Sequence, residues 1–149
     1  MITPRPRGVV VIGATVMLVG TFLPWLRSGS VDRSSYDLIE LVDRLGYASG
    51  GAMDLALTLW PIVPLLLVVS IIVAVTSRVP VAAVVALWTL TASYVGATAI
   101  ALVAAPGASL LQVRYGVWVS VAGTLLVLAA TVGESLQVIR RDRPIPRER

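Results

Sequence analysis

Hydrophobic residues in this chain are gathered into four long stretches, and nearly every charged residue lies outside them. The stretches cover Gly8–Leu26, Leu55–Thr76, Val79–Ala104 and Tyr115–Ile139. At about 1.5 Å of rise per residue, a helix of any of these lengths could cross most or all of a hydrocarbon core of about 30 Å. The pattern predicts an all-α integral membrane protein, a single transmembrane domain built as a four-helix bundle.

The one extended polar segment, residues 27–54, predicts a short amphipathic helix within the first loop. Ser34 can cap the first turn, and Asp37 follows three residues later in a variant of the capping box. One face of this helix would be apolar, with Leu38, Leu41, Val42 and Leu45. The opposite face would be charged, with Asp37, Glu40 and Arg44. Such a short helix needs a surface to lie on, because eleven residues are marginal as a helix in water.

The distribution of charge predicts the topology. The net charge is +4, from twelve arginines and eight acids, and eight of the arginines lie in the two tails and the 77–80 turn. The positive-inside rule therefore places tails 1–7 and 140–149 in the cytoplasm and loop 27–54 outside the plasma membrane. We expect the first stretch to be retained, because it is long for a signal peptide and lacks an A-x-A pattern.

Three tryptophans agree with this topology. Trp25, Trp60 and Trp118 would all lie at the outer interface, where aromatic side chains commonly form a belt, and Trp88 would lie deeper.

The composition argues against several kinds of functional site. The chain has no His, Cys or Lys, so the usual ligands of zinc, iron–sulfur and haem sites are missing. We predict no cofactor, no metal and no enzymatic activity. Four outer acids, Asp32, Asp37, Glu40 and Asp43, could support acid–base chemistry or bind calcium, but they better fit a solvated helix face. The arginines lie in tails rather than in an aromatic patch, which argues against nucleic acid as a partner.

Small residues recur at four-residue spacing in the last two stretches and suit close packing of helices in lipid. They are Ala92 and Gly96, Ala97, Ala101 and Ala105, Gly116, Ser120 and Thr124, and Ala129 and Gly133. We expect packing within the bundle, with contact to a membrane-protein partner or a second copy as the alternative. The third stretch also carries hydroxyl groups that could bond internally or line a pathway: Thr89, Thr91, Ser93, Tyr94 and Thr98.

Two charged residues at the ends of stretches need partners. Glu134, the only acid within an apolar stretch, should lie near the inner head groups and pair with Arg78, Arg140 or Arg141. Arg114 is opposed by the dipole of the helix it begins, so we expect it to pair with a loop acid such as Asp54.

A resemblance rests on the run G-T-F-L-P-W-L-R-S-G at residues 20–29, followed by R-S-S-Y-D-L at 33–38. Together with the four-span layout, it resembles uncharacterised small membrane proteins of actinobacteria, including mycobacteria. In those proteins P-W-x-x-S-G closes the first span and R-S-S-Y/F opens an outer helix. The resemblance implies an actinobacterial cell-membrane protein and carries no activity. The long first loop is also similar in layout to claudin-like proteins, without their paired loop cysteines.

These observations favour a non-catalytic accessory or scaffold protein of the bacterial cell envelope, with the outer loop as its recognition surface. The candidate loop anchors or partner contacts are Trp25, Arg27, Arg33, Tyr36 and Asp37. One alternative is a small oligomeric transporter or channel subunit, which would need the hydroxyls of the third stretch as a lining. Another is an enzyme acting on lipid, which would need the outer acids to converge with Arg27 or Arg33.

Overall fold

The fold is mostly helical. A computed structural model describes residues 6–44, 58–76, 79–104 and 112–141, and these form five α-helices. The helices are α1 (Pro6–Phe22), α2 (Ser35–Arg44), α3 (Val63–Val75), α4 (Val81–Ala104) and α5 (Tyr115–Arg141). A 3₁₀ turn, Trp60–Ile62, leads into α3. The predicted helical character of all four apolar stretches and of the polar segment is confirmed, within the described residues.

Prolines set two helix starts and one helix end. The first helix stops at Phe22, before Pro24, whereas its apolar stretch continues to Leu26. A proline disfavours helical geometry in the residue before it and cannot supply a backbone N–H. Pro61 and Pro64 lie in the first turns of the 3₁₀ segment and α3, where missing N–H groups cost least.

The expectation of an all-α fold was wrong in one respect, because the described residues also form a small antiparallel sheet. Its strands are β1 (Pro24–Ser28), β2 (Val31–Ser34) and β3 (Gln112–Val113), in the order β2-β1-β3. Gly29 adopts a φ of 62° between β1 and β2. A glycine at positive φ in the first position of a two-residue turn matches the twist of a hairpin.

Four helices pack side by side in a ring. Helix α1 packs against α5 and α3, and α4 closes the ring by contacting α5 and α3. We call the end that carries the sheet and α2 the cap end, and those elements the cap. The opposite end, with Arg7 and Glu134, is the tail end. Trp60 meets Trp25 at the cap end and the last residues of α3 meet Arg7 at the tail end, so neighbouring helices are antiparallel.

Glycines bring the backbones of α1 and α5 into direct contact. A Cβ added to Gly20 would lie 2.9 Å from the Ser120 nitrogen, and one added to Gly123 would lie 2.7 Å from the Gly13 oxygen. These distances are shorter than van der Waals contact, so only glycine fits. Several residues of the predicted small-residue stripes are buried in the ring, which confirms internal packing for them: Ala92, Gly96, Gly116, Ser120 and Thr124. Ala97 and Ala129 are exposed instead.

The outward faces of the ring are apolar. Exposed side chains on the four helices include Ile12, Leu65, Ile72, Leu90, Leu125 and Val132. By length and composition, Val81–Ile100 and Tyr115–Arg140 could each cross a membrane, whereas Pro6–Phe22 and Trp60–Val75 are shorter apolar helices.

The substitution Gly123→Ala tests the close contact between α1 and α5. Its new Cβ would lie 2.7 Å from two backbone atoms, the Gly13 oxygen and the Met17 nitrogen, so the helices must separate. We expect the free energy of unfolding in detergent micelles to fall by about 1–3 kcal/mol. Gly8→Ala is the matched control, because its added Cβ would meet no atom within 4 Å apart from its chain neighbours and the backbone of its own helix. Equal stability of the two variants would contradict this packing.

Candidate functional site

Two tryptophans anchor the cap to the helix ring. Trp25 of β1 and Trp60 of the 3₁₀ turn are each only 1% exposed, and their rings meet edge to face with centroids 5.4 Å apart. The ring of Tyr94 in α4 also contacts Trp60, with centroids 5.8 Å apart. The interpretation of Trp25 and Trp60 as members of an aromatic belt was therefore wrong. Both rings face the protein interior, whereas the exposed aromatic residues near this end are Phe22, Tyr115 and Trp118.

Hydrogen bonds complete this anchor. The Trp25 indole donates to the Gly20 oxygen at 2.8 Å, where α1 is ending. The Ser35 hydroxyl donates to the Thr21 oxygen at 2.7 Å and accepts from the Trp60 indole at 3.1 Å. One buried hydroxyl thus joins α1, α2 and the start of α3. Each buried indole N–H has an acceptor, so a hydrogen bond offsets the cost of removing that group from water.

The start of α2 confirms the predicted capping box. The Asp37 carboxylate accepts from the Ser34 N–H and the Ser34 hydroxyl, both at 2.8 Å, and the Asp37 N–H donates to the Ser34 hydroxyl at 3.3 Å. The Ser34 N–H, the Ser34 hydroxyl and the nearby Arg33 charge lower the pKa of Asp37, in that order. Asp37 is therefore engaged in shaping the cap and is ionised at neutral pH.

The outer face of the sheet carries an arginine pair around one acid. The strand register sets Arg27 opposite Asp32. The Asp32 Oδ1 atom accepts from Arg114 Nε at 3.1 Å and lies 3.8 Å from Arg27 Nε. The expected pairing of Arg114 with a loop acid is confirmed, but the partner is Asp32. Asp54, the acid named from the sequence, lies outside the described residues.

Arg33 and Tyr36 lie closer to the ring. Arg33 is paired in register with the buried Leu26, and its Nε is buried with no hydrogen-bond partner among the described residues. The Tyr36 ring stacks on Phe22 with centroids 5.2 Å apart. Burial raises the pKa of the Tyr36 hydroxyl, and the neighbouring Thr21 hydroxyl partly offsets that rise.

Arg7 joins the ends of three helices at the tail end, with Glu134 as its acidic partner. The Glu134 Oε1 atom lies 3.5 Å from Arg7 Nε, and Arg7 Nη1 also donates to the Thr76 oxygen at 3.4 Å. Arg7 was not among the predicted partners Arg78, Arg140 and Arg141, of which Arg78 and the side chain of Arg141 lie outside the described residues. The antiparallel packing of α1 against α5 explains the difference, because it brings the start of one helix beside the end of the other.

The hydroxyls of α4 do not converge on an interior pathway in the described residues. Thr91 and Thr98 donate to the carbonyl oxygens of Leu87 and Tyr94 in their own helix, each at 2.9 Å. Thr89 and Ser93 are exposed instead, along an open groove of about 760 Å³ between α4 and the end of α5.

The described residues contain no group of three acids that could hold a metal ion. Of the acids proposed for chemistry, Asp37 forms the capping box and Asp32 pairs with arginines. The side chain of Asp43 lies outside the described part.

Several residues of this site were missed from the sequence. No sequence pattern indicated Ser35 or Thr21, because their roles depend on a hydrogen bond between residues that are 14 positions apart in the chain. The hairpin did have a signal, because Gly29-Ser30 is a two-residue turn of a favoured type.

Comparison with known proteins gave no match: no family model, no curated protein and no solved structure is significantly similar to this chain.

A double-mutant cycle between Ser35 and Trp60 tests the anchor. Ser35→Ala leaves the Trp60 indole and the Thr21 oxygen without partners, so we expect a loss of about 1–3 kcal/mol of stability. Adding Trp60→Phe removes the unsatisfied donor, so the double variant should lose less than the sum of the single losses. The free energy of unfolding in detergent micelles measures the losses in the single and double variants. Ser30→Ala, in the exposed turn, is the control and should be neutral. Strict additivity would show that the two side chains are not coupled.

Proposed function

We propose that this chain is a non-catalytic integral membrane accessory or scaffold protein of the bacterial cell envelope. In this proposal α1, α3, α4 and α5 each cross the plasma membrane. The cap lies outside the cell and serves as the recognition surface, and both tails lie in the cytoplasm.

The apolar outer faces of the ring support a membrane location. Between the two ends, the described parts of α1, α3, α4 and α5 carry no charged side chain. Large hydrophobic residues are exposed on all four helices, which would leave an extensive apolar surface in water. Hydrocarbon covers such a surface without penalty, because lipid tails are themselves apolar.

The two shorter helices fit the same arrangement. Helix α1 has 17 residues, about 25 Å of rise. A span slightly shorter than the hydrocarbon core is accommodated by local thinning or by flanking residues that reach the interface. Since α1 packs along α5, it would lie at the same depth in the bilayer as that longer helix.

The ordered cap is the observation that carries the recognition proposal. Ser35, Trp25 and Trp60 tie it to the ring, and the hairpin and the capping box fix its outer contour. A surface held in one conformation loses little entropy on binding a partner. Arg27, Arg33 and Asp37 lie in this surface, whereas Trp25 and half-buried Tyr36 act as its anchors.

A second candidate is a small oligomeric transporter or channel subunit. The exposed hydroxyls of Thr89 and Ser93 favour it, because they lie along the groove between α4 and α5. A pathway lined by these hydroxyls would run between copies of the chain. Crosslinks between Ser93→Cys copies in membranes would support this candidate.

Single-cysteine labelling tests the topology, and the chain has no native cysteine to interfere. We expect Ser30→Cys to react with a membrane-impermeant maleimide in intact spheroplasts. Ile145→Cys should react only after lysis. The reverse pattern, or labelling of both in intact spheroplasts, would contradict the proposed orientation.

Photo-crosslinking tests the recognition surface. A photoreactive amino acid at Val31, an exposed hairpin position, should give a discrete protein adduct in native membranes. The same probe at Val75, exposed at the tail end, is the control and should not give that adduct. Identical adducts from the two positions would argue against the cap as the contact surface.

A further inference from the structure

We propose that the outer face of the cap and the adjoining start of α5 bind an anionic phospholipid of the outer leaflet. Arg27 and Arg114 would receive the phosphate, and an acyl chain would lie on the exposed face of α5. This inference rests on the proposed membrane location and adds a specific lipid to it.

Among the described residues, the two arginines carry more positive charge than their one acidic partner neutralises. Arg27 and Arg114 share the single carboxylate of Asp32, through Nε atoms at 3.8 and 3.1 Å. The only other acceptor of either side chain among the described residues is the Gly29 oxygen, which takes Arg27 Nε at 3.2 Å. No described residue accepts from the terminal amino groups of either arginine, and both side chains are partly exposed. Guanidinium groups pair well with phosphate oxygens.

An apolar strip of exposed side chains on α5 begins next to Arg114. Tyr115 directly follows Arg114, and it is 55% exposed, with Trp118 one turn further at 60%. Leu125 and Val132 continue the exposed face at 62% and 59%. From Trp118 to Val132 the strip spans about 21 Å of helix. Tyrosine and tryptophan are the side chains that favour head-group depth in a bilayer.

The combination of an arginine pair and an apolar strip fits a phospholipid rather than a free anion. A free phosphate would use the two arginines and gain nothing from Trp118 or Leu125. A phospholipid would contact both the arginines and the apolar strip. Its phosphate and its acyl chain are joined in the same order as the arginines and the strip. The net positive charge of the pair favours an anionic head group over a zwitterionic one.

Tryptophan quenching can measure this binding directly. Of the four tryptophans, Trp25, Trp60 and Trp88 are at most 1% exposed, so Trp118 is the one that lipid can reach. The full chain is reconstituted in phosphatidylcholine vesicles that contain increasing fractions of brominated phosphatidylglycerol or brominated phosphatidylcholine. The dependence of quenching on lipid fraction gives the relative affinity of the two lipids beside Trp118.

We expect phosphatidylglycerol to be preferred, and Arg114→Gln or Arg27→Gln to lower that preference by about fivefold each. Asp32→Asn should raise it, because it removes the acid that competes for both arginines. This opposite sign separates binding from structural damage, which would lower the preference in all three variants. Arg140→Gln, at the far end of α5, is the control and should leave it unchanged.

Three results would overturn the inference. Equal quenching by the two lipids would leave the membrane location intact but remove the anionic site. Loss of the preference on adding inorganic phosphate at constant ionic strength would identify a free-anion site. Absence of quenching by either lipid would contradict the proposed membrane location itself, together with the inference.

Discussion

The architecture depends on one constraint, which is that the helix ring has an apolar outside as well as an apolar inside. Burial from water cannot hold such helices together once lipid covers them, since lipid and leucine are equally apolar. In the proposed membrane location, close contact between helices would do so instead. Gly20 and Gly123 provide such contact, because they bring the α1 and α5 backbones together at distances that no Cβ permits.

Among the described residues the ion pairs lie at the two ends of the ring, and polar interactions hold each end differently. At the tail end, Arg7 links Glu134 of α5 to the last turn of α3 through charge. At the cap end, Ser35 and the two indoles link neutral groups in a fully buried setting. The cap end is closed by aromatic side chains, and the ion pairs of Asp32 with Arg27 and Arg114 lie on its outer face. This arrangement suits a surface that contacts head groups or proteins more than a conduit through the ring.

Sequence reasoning recovered features that short-range chemistry determines. The helices follow from hydropathy, and the α2 start follows from Ser34 and Asp37, because a capping box involves residues three apart. Features that depend on distant contacts were missed. The partner of Glu134 is 127 residues away, and Trp25 turns inward because Trp60 is there to receive it. The hairpin is an exception. Gly29-Ser30 is a local turn signal, so the hairpin could have been predicted from the sequence but was not.

In the proposed membrane location, hydrocarbon rather than water covers the outer faces of the ring. Spin labels at Leu125→Cys and Leu90→Cys, both exposed mid-helix positions, test this coverage in reconstituted bilayers, with Ser30→Cys in the cap as the water-exposed reference. We expect the two helix labels to relax strongly with oxygen, which partitions into lipid, and weakly with a water-soluble nickel chelate. Nickel accessibility at Leu125 and Leu90 equal to that at Ser30 would contradict the proposed membrane location.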